Sequence, residues 1–88
     1  MPKFMSNHTL PPGAITREQL DQIAQAAQED PTVRGYRSFI NLSEGKIVCV
    51  FEGPNKKAVT DWFQKMKMPY DSITQLELEG DRSAIEEV

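Results

Sequence analysis

The segment that most restricts the fold is Lys46–Glu52, Lys-Ile-Val-Cys-Val-Phe-Glu. A β-strand turns successive side chains to opposite sides, and here both sides are apolar: Ile47, Cys49 and Phe51 against Val48 and Val50. A strand of this kind belongs inside a sheet that is covered above and below. The preceding run, Arg34–Leu42, is also rich in β-branched and aromatic residues but alternates less cleanly. Read with period two, it places Tyr36, Ser38, Ile40 and Leu42 on one face and Arg37, Phe39 and Asn41 on the other, a half-buried strand. Ser43-Glu44-Gly45 between the two runs makes the pair a β-hairpin, and Gly53-Pro54 ends it.

The flanking segments supply helices and two further strands. Pro2–Leu10 alternates weakly, Phe4, Ser6 and His8 against Met5, Asn7 and Thr9, and Pro11-Pro12-Gly13 closes it because proline cannot donate to a ladder. Thr16 followed three residues later by Gln19 is a capping box, Ile15 can staple onto Leu20, and Leu20, Ile23, Ala24 and Ala27 recur at helical spacing. That helix should end near Glu29-Asp30, since Pro31 disfavours the α conformation in the residue before it. Asn55 caps a second helix whose buried face is Ala58, Val59, Trp62, Phe63 and Met66, with Pro69 stopping it. A last strand is expected over Ser72–Glu79, and Gly80 onward is expected to be an acidic tail that frays.

The order βαββαβ closes most simply, with right-handed crossovers, as an α+β ferredoxin-like sandwich: an antiparallel sheet with both helices on one face. One such domain, residues 1–79, with the tail 80–88, accounts for a chain of 88 residues. The first and third strands are then central, and the sheet face away from the helices needs another cover. A homodimer packed sheet on sheet supplies it.

Composition narrows the function classes. A formal charge of −3 argues against nucleic acid, which requires clustered Lys and Arg. Arg34-Gly35-Tyr36-Arg37-Ser38-Phe39-Ile40 is superficially like the RNA-recognition signature, but its rings fall on opposite strand faces and it lies in the second strand rather than the third. No apolar run approaches a membrane span and no secretory h-region precedes the first strand, so the expected location is the cytoplasm. One cysteine, Cys49, excludes an internal disulfide. No P-loop, dinucleotide fingerprint, Cys-x-x-Cys or His-Glu-x-x-His is present.

Several blocks of the chain carry a resemblance. They are Met1-Pro2-Lys3-Phe4-Met5-Ser6-Asn7-His8, Ile15-Thr16-Arg17-Glu18-Gln19-Leu20, Gly45–Val59 with its Cys49, Gly53-Pro54 and Ala58-Val59, and Met68-Pro69-Tyr70-Asp71-Ser72-Ile73. In this order they resemble a family of small bacterial proteins of largely unknown function that includes the nickel-responsive, nickel-binding proteins of actinobacteria. The resemblance implies a ferredoxin-like homodimer with nickel or another divalent metal as candidate ligand. It carries over to His8 and Cys49, whereas Phe63 and Met68 stand where relatives can carry histidine.

From the residues themselves, His8 is the sole imidazole and hence the leading metal contact, with Cys49 and Glu52 behind it. The bland alternatives are a polar residue at a strand end for His8 and a small core hydrophobe for Cys49. Tyr36, Arg37 and Trp62 are candidates to line a small-molecule pocket between sheet and helix or against a partner, although a Trp at helical spacing more often packs as core. Glu77 and Glu79 read as solvated surface. The chain is thus expected to be a small non-enzymatic binding protein. The alternative is a cofactor-independent enzyme of the dimeric α/β-barrel type, monooxygenase- or isomerase-like, working with Tyr36, Arg37, His8 or Cys49.

Overall fold

A computed structural model describes all 88 residues. Six strands and two helices follow in the order β1 (Lys3–Thr9), α1 (Arg17–Glu29), β2 (Arg34–Asn41), β3 (Lys46–Glu52), α2 (Lys56–Lys65), β4 (Ser72–Gln75), β5 (Leu78–Asp81) and β6 (Ala84–Glu87). The four-stranded sheet has the order β2-β3-β1-β4, and every pairing in it is antiparallel. This is a small α+β fold consistent with the ferredoxin-like arrangement, and β3, apolar on both sides, is an internal strand.

Both helices begin where side-chain oxygens satisfy free backbone donors. Thr16 Oγ1 accepts from Gln19 N at 3.2 Å, and Gln19 Oε1 accepts from Thr16 N at 2.8 Å, the reciprocal pair of a capping box. Asn55 Oδ1 accepts from Ala58 N at 2.8 Å at the start of α2. The end of α2 is set before Pro69 is reached. Lys67 takes a left-handed φ of 56°, Met68 N donates to Phe63 O at 2.9 Å, and Lys67 N donates to Gln64 O at 3.1 Å, a Schellman closure.

One face of the sheet and both helices share a single core: Phe4, Ile47, Cys49, Phe51 and Ile73 from the strands, Ala27 from α1, and Val59, Trp62 and Phe63 from α2, with Val33 and Met68 from the connections. Phe63 is its centre, with ring centroids 4.9 Å from His8, 5.2 Å from Phe51 and 5.4 Å from Trp62. The two helices are seated differently. Three residues of α2 are buried, Val59, Trp62 and Phe63, but in α1 only Ala27 is.

Two features depart from the sequence reading. The register between β2 and β3 slips at Tyr36, between the pairs Gly35↔Phe51 and Arg37↔Val50. An extra residue in one strand is a β-bulge and breaks the period-two alternation. The bulge separates Tyr36 from the Ser38/Ile40 face, so that its ring lies beneath Lys3 Nζ, 3.8 Å away, on the side of the sheet remote from the helices. The second departure is at the C-terminus, where the strand expected over Ser72–Glu79 stops at Gln75 and Leu78–Glu87 forms a separate two-stranded hairpin. Glu79 ties that hairpin back to the sheet, accepting from Lys3 Nζ at 2.6 Å and from the Tyr36 hydroxyl. Residues 80–88, expected to be a fraying tail, therefore include one strand of a hairpin with a defined register.

Candidate functional site

The chemistry-bearing side chains sit on the helix-facing side of β1 and β3. Ser6 lies opposite Cys49 and His8 opposite Ile47, and all of them point inward with Phe4 and Phe51. His8 is only 1 % exposed. Its Nδ1 is 2.7 Å from the Pro69 carbonyl oxygen and its Nε2 is 2.8 Å from Ser6 Oγ. A carbonyl only accepts, so Nδ1 carries the proton and donates to Pro69, and Nε2 accepts from the Ser6 hydroxyl. The same hydroxyl is 3.4 Å from the Cys49 carbonyl oxygen, and the shorter contact takes its proton. Burial lowers the His8 pKa from its ordinary value, against the weaker pull of the Pro69 carbonyl and the Asp71 charge. His8 is therefore a neutral imidazole with both nitrogens engaged, a bolt between β1 and the connection that follows α2.

Cys49 is held in the opposite sense. Burial raises its pKa, only partly offset by the Ser38 and Ser6 hydroxyls, and Ser38 Oγ donates to Cys49 Sγ at 3.4 Å. Nucleophilic sulfur is thiolate, so the buried thiol is in its unreactive form.

Three metal candidates came from the sequence, and the structure does not bring them together. Cys49 shares a face with His8, but Glu52 lies five residues along β3 from Ile47, the partner of His8. Five residues span roughly 17 Å, and an odd offset turns the side chain to the other side of the sheet. A centre built from His8, Cys49 and Glu52 does not fit this geometry, because one donor is remote and the imidazole lone pair is already occupied. No three His, Cys, Asp or Glu side chains cluster closely enough to hold an ion.

The pocket candidates are divided in the same way. Trp62 is 4 % exposed and packs on Phe51 at 5.0 Å between ring centroids, as core. The Tyr36 ring is across the sheet from it, with the Arg37 guanidinium carbon 5.7 Å from its centroid. The reason is the bulge, which a strict alternation of faces does not anticipate. A cavity does exist between α1 and the helix-facing side of β2 and β3, and Tyr36 and Arg37, though not Trp62, are among its lining residues. It has a volume near 310 Å³, with Leu20, Ile23 and Ala24 on one wall, Ile40 and Cys49 on the floor and Met68 at one end. Ser6 and Ser38, which bond His8 and Cys49, were not singled out from the sequence. The signal was present in the alternation, since Ser6 shares the Phe4/His8 side of its strand.

No helix is long and apolar enough to cross a membrane. No curated protein matches the chain. Among solved structures it is similar to that described as the crystal structure analysis of SCO4226 from Streptomyces coelicolor A3(2), with 28% sequence identity, a TM-score of 0.73, and coverage of 89% of this chain and 99% of that one. The model of the family described as nickel responsive protein SCO4226-like matches residues 4–76, from the first buried residue of β1 to the end of the four-stranded sheet, and the chain belongs to that family.

Proposed function

We propose that the protein is a small non-enzymatic ligand-binding protein that works as a homodimer, two copies joined through the open sheet face in a dimeric α/β-barrel-type assembly. The observation that carries the first part is the state of its core: the single imidazole is neutral with both nitrogens bonded, and the single thiol is protonated and buried. Catalysis of the kind expected from the alternative reading needs a free base or a thiolate that meets its substrate. A thiol reagent tests this directly. Cys49 in the native protein should react only as fast as the fold opens, and rapid stoichiometric labelling would restore the enzyme reading.

The homodimer is supported by the composition of the open face. Met5, Val48 and Val50 there are half-buried, and Phe39 is 59 % exposed. Light scattering at micromolar concentration should give twice the chain mass, and Val50→Asp should halve it. A wild-type monomer would remove this part of the proposal.

A second reading, a divalent metal such as nickel as the ligand, is favoured by the description of the family. Because His8, Cys49 and Glu52 do not converge in one chain, an ion would have to draw donors from elsewhere. Calorimetric titration of nickel into wild type and His8→Gln separates the cases. Equal binding in both puts the ion away from His8, loss in a folded variant puts it there, and no heat in the wild type ends the metal reading.

A further inference from the structure

The cavity under α1 is an opening that the fold maintains. The apolar stripe of α1 is directed at the sheet, yet Leu20 and Ile23 remain only partly buried and Ile40 opposite is 46 % exposed. An amphipathic helix ordinarily closes onto such a surface. Two contacts hold this one at its C-terminal end. Gln28 Nε2 donates to Gly35 O at 2.7 Å, and Gly35 is so near that a Cβ built on it would stand 3.4 Å from Ala27 Cβ. At the other end Ile15 packs against the core and the capping box fixes the first turn. Between these anchors the facing residues are small, Ala24 on the helix and Ser38 on the strand, and the space between them stays open. Open space between apolar walls forfeits packing and transfer energy, so a molecule that fills it is bound with a gain.

We propose that this cavity is the binding site for a small, uncharged, largely apolar molecule carrying one hydrogen-bond donor, a hydroxyl or N–H. Its volume, about 310 Å³, is at the lower end of ordinary small-molecule sites. The charged groups among the lining residues are Asp21, an exposed position on α1, and Arg37, which pairs with Val50 of the opposite sheet face and whose guanidinium carbon lies 5.7 Å from the Tyr36 ring; neither is buried within the walls, so an ion finds no enclosed partner there. The preference for a donor comes from Ser38. Its hydroxyl proton is used on Cys49 Sγ, leaving the oxygen lone pairs as the acceptor on the cavity floor. Neither nickel nor His8 enters this assignment, so it and the metal reading stand or fall separately.

The probe is N-phenyl-1-naphthylamine, a neutral fluorophore with one N–H that brightens in apolar surroundings, titrated into the full chain. Saturable binding at one site per chain is expected. Ala24→Phe extends a ring into the cavity from an exposed helix position and should weaken binding at least about tenfold, since a filled apolar site has no room left. Ser38→Ala removes the acceptor and should weaken it about three- to tenfold, the worth of one hydrogen bond. Lys56→Ala, at an exposed position of α2 outside the cavity, should leave it unchanged. Circular dichroism and Trp62 emission confirm that each variant is folded. No saturable binding, undiminished binding by folded Ala24→Phe and Ser38→Ala, or loss confined to Lys56→Ala would each overturn the assignment.

Discussion

Replacing His8 by glutamine should abolish the pH dependence of stability in the mildly acid range. His8 is buried neutral and its pKa lies below the ordinary value near 6.5, with desolvation as the leading cause. The unfolded chain therefore takes up a proton that the folded chain resists, and stability rises with pH wherever that holds. This contribution is fully present above the unfolded pKa of 6.5 and is lost progressively as pH falls from there towards the lowered folded value. One proton sets a ceiling of about 1.4 kcal/mol per pH unit, or about 2 kcal/mol by pH 5. Against a total of about 4–13 kcal/mol for a domain of this length, that is a large share. Urea unfolding followed by Trp62 emission between pH 5 and 8 measures it, because Trp62 is buried beside Phe51 and Phe63 and reports loss of the core. Glutamine keeps a donor and an acceptor but cannot reproduce the imidazole geometry. The variant should be about 1–3 kcal/mol less stable at pH 8 and nearly flat from pH 8 to 5. A wild type already flat over this range, or a variant that keeps the full slope, would refute the assignment of a neutral, doubly bonded imidazole.

Three further perturbations follow from packing and backbone geometry. Phe63→Ala removes a fully buried ring at the centre of the aromatic cluster and should cost about 3–5 kcal/mol in the same urea assay, enough to leave the chain partly unfolded at neutral pH. Gly45 has φ +68° and a Cβ there would lie 1.7 Å from the Leu10 carbonyl oxygen, so Gly45→Ala should destabilise more than a surface substitution, by over about 2 kcal/mol, with an unchanged Tm arguing against the turn as described. Glu79→Gln weakens the tie from Lys3 and Tyr36 to the β5–β6 hairpin, and amides of Leu78–Glu87 should then exchange faster while those of β3 stay protected.

Local signals along the chain settle the element order as far as β4, both helix starts and the internal position of β3. The signals are a Thr-x-x-Gln cap, an Asn cap, and a strand apolar on both sides. The sequence also carried the family, through short blocks on β1, α1, β3 and the connection after α2. What it could not carry is whatever depends on register and on distance through space. A single inserted residue at Tyr36 reversed the face of a side chain, and strict alternation has no term for it. Glu52 looked close to Cys49 in sequence but is turned to the other side of the sheet and lies far from His8. The C-terminal hairpin holds through Glu79 meeting Lys3, a contact across 76 positions of chain. Only the packed structure decided that His8 is a bonded core residue and that α1, held at both ends, stands off the sheet. Both follow from which side chains tertiary packing brings within reach, and periodicity along the chain contains no information about that distance.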